Sequence, residues 1–124
     1  MTIKIPEVDV NKGLELFEGD LDTYVGILRS YVLNIPAGLD RIRSVSEETL
    51  QNYAIGVHGI KGTSEAIGAE EARKTAKNLE EMAKSGNIAG VLAKNSDFIR
   101  YIENLTNGIR IWLEKYDASG EPPS

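Results

Sequence analysis

Residues 88–116 read IAGVLAKNSDFIRYIENLTNGIRIWLEKY, and within them Ile88, Val91, Asn95, Phe98, Ile102, Leu105, Ile109, Trp112 and Tyr116 alternate steps of three and four without a slip. That spacing keeps these side chains on one stripe of an α-helix. A stripe this long predicts one amphipathic helix with a buried seam. Asn95 is the polar exception and reads as a buried hydrogen-bonding or register residue.

Upstream the same period recurs three times. Glu70 opens a helix with Ala72, Ala76, Leu79 and Ala83 on its inner face, ending before Ser85-Gly86. A face made mostly of alanine predicts a close approach to its neighbours. On the outer face Glu70 precedes Lys74, and Glu80 precedes Lys84, by four residues; each such pair is worth a few tenths of a kcal/mol. Before that, Ser46 with Glu47, Glu48 and Thr49 reads as a helix start. Leu50, Tyr53, Val57, Ile60, Ser64 and Ile67 then share one face, with Gly68 as the stop.

Earlier still, Asp20 is an N-cap for a stripe of Leu21, Tyr24, Leu28, Tyr31 and Ile35, widened by Val25, Val32, Leu39 and Ile42. Pro36 falls inside it and predicts a bend near Val32 rather than a stop, because the stripe resumes in phase. Residues 1–19 read as a lead-in with a short helical turn over Asn11–Phe17, and residues 117–124 as a flexible polar tail. Residues 20–116 therefore carry four helices with short connections. The predicted fold is all-α, an antiparallel up-down-up-down four-helix bundle with a short extra N-terminal helix.

Composition narrows the chemistry. The chain has 124 residues, enough for one domain, with 41% apolar and 27% charged residues. It has no cysteine and a single histidine, so thiolate chemistry and any multi-histidine metal site are excluded. A net charge of −5 argues against binding nucleic acid through bulk charge. No apolar run is long enough to span a bilayer and no signal pattern opens the chain, so a cytoplasmic protein without membrane insertion is expected.

On a helical wheel His58 lies about 130° from the centre of the buried face of its helix, so its ring is expected in solvent. Lys61 falls at the border of core and solvent on the same side. Gly56, Gly59 and Gly62 all lie in this helix, and each costs about 1 kcal/mol relative to alanine. Gly59 and Gly62 face outward beside His58 and strip bulk from the surface around the ring. Rules broken together on one face point to a functional site. Gly56, nearer the core edge, fits close packing against a neighbouring helix instead.

His58-Gly59-Ile60-Lys61-Gly62, then Ser64, Gly68-Ala69, Leu79-Glu80 and Gly86, resembles the motif of histidine-containing phosphotransfer domains, the intermediate carriers of phosphorelays. The lead-in, with Gly13-Leu14, Phe17 and Gly19-Asp20, is similar to the family's opening segment, and the likeness runs to about Tyr116. Gly59 stands where the family usually has a small non-glycine residue and Ile60 where leucine is commonest. The resemblance implies that His58 accepts a phosphoryl group from a receiver-domain aspartate and passes it to another receiver. It implies that Lys61 offsets the phosphoryl charge, that Gly59 and Gly62 give clearance, and that Ile55 belongs to the docking patch.

Receiver domains of response regulators, and a hybrid sensor histidine kinase, are the partners this implies, with no nucleic acid among them. No cofactor, metal or nucleotide site is expected on the chain; Mg²⁺ would belong to the receiver's acidic site. The chain is then a phosphocarrier and not an enzyme, since neither a catalytic His/Asp/Ser set nor a P-loop is present. Arg73, Lys77 and Lys84 on the third long helix add a basic flank or are simply solvated charges. Glu65 lies two turns from His58 on the same side. The competing reading is a helical adaptor or dimerisation module that binds such partners without carrying phosphate.

Overall fold

The computed structural model describes residues 3–123. Residues 1, 2 and 124, which the sequence assigns to the lead-in and the tail, lie outside the described residues. The chain is all-helical: α1 (Val10–Glu15), α2 (Leu21–Asp40), α3 (Leu50–Ile67), α4 (Glu70–Lys84) and α5 (Ile88–Ser119) pack together. Among the described residues no strand forms beyond an isolated bridge between Ile5 and Val8. Among the described residues no helix is long and apolar enough to cross a membrane.

The helix ends follow local chemistry. Asp9 caps α1 and Asp20 caps α2, each through a side-chain oxygen that accepts from the backbone three residues on. Asn87 does the same for α5, accepting from Gly90 N at 2.9 Å. α2 runs through Pro36 as one helix. α3 begins at Leu50 rather than at Ser46, because residues 46–49 close a tight turn first. Ser46 N donates to Thr49 Oγ1 at 2.9 Å and Thr49 N donates to Ser46 O at 3.2 Å. At the far end Gly68 adopts a φ of 84°, and Ala69 N reaches back to Ser64 O at 2.9 Å. This is the left-handed closure that glycine makes without strain. α5 runs past the expected end at Tyr116 to Ser119, with Gly120 closing it, and Asp117 pairs with Arg29 of α2 across the bundle. An acidic residue facing an arginine on the neighbouring helix gives this last turn a reason to form.

The predicted stripes are the core. Tyr24, Leu28, Tyr53, Val57, Ile67, Leu79, Val91, Phe98, Ile102 and Ile109 are buried, and so are Ala72, Ala76 and Ala83 on the inner face of α4. α3 and α4 make the most extensive helix pair, as small residues on α4 permit; α2 also meets α3 and α5, and α4 meets α5.

α3 is fastened along its length. Tyr24 Oη donates to Ile67 O at 2.7 Å, and Tyr31 Oη lies 3.2 Å from the fully buried Ser64 Oγ. Asp9 N donates to Gly68 O at 2.8 Å, so the lead-in docks on the α3–α4 turn. Asn95 is buried, as its place in the stripe predicted. Tyr53 Oη donates to its Oδ1, and its Nδ2 donates to Ile42 O, both at 2.7 Å. The face of α3 turned away from these contacts is held on a stiff support.

Candidate functional site

His58 sits in the middle of α3 with Val57 and Ile60 buried beneath it and its own side chain 63% exposed. One ring nitrogen is taken. Nδ1 lies 2.7 Å from Oε2 of Glu80 on α4. Lys61 Nζ donates to the other carboxylate oxygen at 2.6 Å, and Lys84 Nζ stands 3.1 Å from Oε2. Glu80 is 4% exposed, so a single buried carboxylate collects three donors from two helices.

Burial pushes the Glu80 carboxyl up, but the hydrogen bonds from Lys61, Lys84 and His58 outweigh it and leave the group at about 2. Glu80 is therefore ionised at neutral pH and can only accept. That settles the tautomer of a neutral His58: Nδ1 carries the proton and donates it, and Nε2 keeps its lone pair. Among the described residues Nε2 has no hydrogen-bond partner. An imidazole held in this way is a nucleophile with one orientation and one available nitrogen.

The surface beside the ring is bare. A Cβ built on Gly59 or on Gly62 meets nothing within 4 Å, so no neighbour among the described residues requires glycine at either position. Gly56 differs: a Cβ there would come within 2.7 Å of Ile42 Cγ2, which is the close packing its place on the wheel suggested. Ile55 is 59% exposed, an apolar side chain one turn before the histidine. It forms part of the rims of two depressions. One, of about 350 Å³, runs between α2 and α3 past Tyr31, Ile35 and Gly59. The other, of about 530 Å³, is lined by His58, Glu80, Ala54, Ala83 and Lys84.

The structure thus brings His58 and Lys61 to one carboxylate and leaves Gly59, Gly62 and Ile55 exposed around them. Lys84 joins the cluster, whereas Arg73 pairs with Glu70 at 3.2 Å further along α4. Glu65 is exposed. Glu80 is the site residue that the sequence reading left on the outer face of its helix. Two signals were available: its wheel position, close to Ala76 and Ala83, and its place in the Leu79-Glu80 part of the motif, to which no role was given. A carboxylate so near an alanine face has to find cations from another helix or stay in water. Among the described residues no group of three or more acidic or histidine side chains is placed to hold a metal ion.

Compared with family models, with curated proteins and with solved structures, the chain finds no match.

Proposed function

We propose that the protein is a phosphoryl carrier of the histidine phosphotransfer type, with His58 as the acceptor. The observation that carries this reading is the exposed imidazole, tied through Nδ1 to the buried Glu80 carboxylate and bordered by two glycines with open space above them. The ring of helix contacts from α2 through α3, α4 and α5 back to α2 supports the four-helix up-down-up-down bundle that belongs to the same reading.

The transfer step balances on this geometry. The Nε2 lone pair attacks the phosphorus of an aspartyl phosphate on a receiver domain, forming a P–N bond. The acyl P–O bond breaks, and the receiver's carboxylate leaves with that electron pair. The ring keeps its Nδ1 proton, and Glu80 faces the positive charge the ring gains. Lys61, held on the same helix, offers its ammonium to the phosphoryl oxygens. The reverse sequence returns the group to a second receiver. Gly59, Gly62 and Ile55 give that receiver a flat, partly apolar landing surface.

The test is to mix the protein with a panel of receiver domains charged with acetyl phosphate. The wild type acquires an acid-labile, base-stable label and His58→Gln acquires none. Lys61→Ala slows uptake roughly ten-fold, the worth of one charge-assisted hydrogen bond, with unchanged helical circular dichroism. Equal labelling of wild type and His58→Gln overturns the reading. Tight receiver binding without any label leaves the adaptor in its place.

A further inference from the structure

We infer that Lys84 is a second phosphoryl-binding residue, which leaves Glu80 for the phosphoryl group once His58 is charged. This deepens the carrier reading and rests on it.

Lys84 Nζ and His58 Nδ1 share the same oxygen of Glu80, at 3.1 and 2.7 Å. The ammonium and the ring are therefore next-door neighbours, although they stand on different helices. Lys61 takes the opposite oxygen at 2.6 Å with its side chain only 24% exposed. Lys84 is 66% exposed and ends α4, so its four-carbon stem is free to swing. The 530 Å³ depression beside the ring has both His58 and Lys84 in its wall. The phosphoryl group on Nε2 stands at the ring edge away from Glu80, so Lys84 meets it by swinging its exposed stem off Glu80 along this depression.

Charge accounting points the same way. One carboxylate and two ammonium groups leave the cluster with one positive charge in excess while His58 is neutral. A phosphoryl group brings up to about two negative charges, and the ring that keeps its Nδ1 proton brings one positive charge. With both lysines the loaded cluster is close to neutral. With Lys61 alone it carries a surplus negative charge beside a buried carboxylate. An ordinary surface pair of the four-residue helical kind needs no third partner, and its loss affects only helix stability. Lys84 has the third partner.

The experiment charges the full chain with phosphoramidate and follows it by ³¹P NMR. In Lys84→Ala the rate of charging falls about five-fold, as for one partly screened ion pair, and the midpoint of the phosphoryl pH titration moves up. Lys84→Arg restores most of both. A purely structural role for Lys84 leaves the phosphoryl midpoint where it was. Wild-type rate and midpoint in Lys84→Ala, alongside altered values in Lys61→Ala, overturn this assignment and spare the carrier reading. Failure of the wild-type His58 to take a phosphoryl group from phosphoramidate or from any charged receiver overturns both.

Discussion

Tyr53 and His58 stand on the same helix, and each anchors a polar cluster that reaches to another part of the chain, but the two clusters follow opposite rules. The Tyr53–Asn95–Ile42 set is neutral and buried, and its side-chain donors have acceptors at 2.7 Å. The His58–Glu80 set is charged, half open to water, and crowds three donors onto one carboxylate. A closed neutral network fixes how helices meet and offers nothing to a visitor. An open one with surplus positive charge and a free nucleophilic nitrogen is matched to an incoming anion. On the proposed reading, stability and phosphoryl transfer are thus separable along a few turns of α3.

The sharpest way to break that contrast is at Asn95. Asn95→Ala strands the Tyr53 hydroxyl and the Ile42 carbonyl in the core, and urea unfolding is expected to show a loss of about 3 kcal/mol. Phosphoryl uptake by the remaining folded protein stays at the wild-type rate. A loss of uptake larger than the folded fraction explains would join the two clusters after all.

Glu80→Gln is the mirror experiment. Uptake falls roughly ten-fold or more, the usual consequence of removing the group that orients a histidine. Stability at neutral pH falls as well, because the amide does not supply the stabilisation that the ionised carboxylate draws from its three donors. The folded Glu80 sits at about 2 against an ordinary 4.5, so the unfolded chain binds the proton more readily. The stabilisation from this group is therefore complete above about pH 4.5 and disappears as the pH falls toward 2. Acid titrations of stability that run parallel in wild type and Glu80→Gln contradict this.

The glycines give the smallest effects and of opposite sign. Gly62→Ala is expected to raise stability by about 0.5–1 kcal/mol, the helix-propensity gain with no clash to offset it. It slows phosphoryl exchange with receivers, measured in the same uptake assay. Gly56→Ala meets the buried Ile42 and lowers stability by about 1 kcal/mol, with uptake unchanged.

The helices were legible because their stripes are long and in phase; the alanine face of α4 predicted a close approach to its neighbours, and α3 is the neighbour it meets most extensively. Less legible were the boundaries that depend on one side chain meeting a distant one. Asp117 holds the last turn of α5 through Arg29, a contact no local pattern contains. The Ser46–Thr49 turn delays α3 by exchanging bonds within itself before the helix begins. At the site, the exposure of His58 and the border position of Lys61 follow from the wheel alone. Glu80 did not, because the same residue satisfies the four-residue pairing rule with Lys84 and so already looks explained on the surface. Its burial depends on donors arriving from α3, which is tertiary information.

The most direct measurement uses the single histidine of the chain. With ¹⁵N-labelled histidine and a charged receiver, one spectrum reports both which nitrogen is bonded to phosphorus and which carries a proton. A phosphorus coupling to Nε2 with Nδ1 still protonated is the expected result. A phosphoryl group on Nδ1, or none on the ring, contradicts the account.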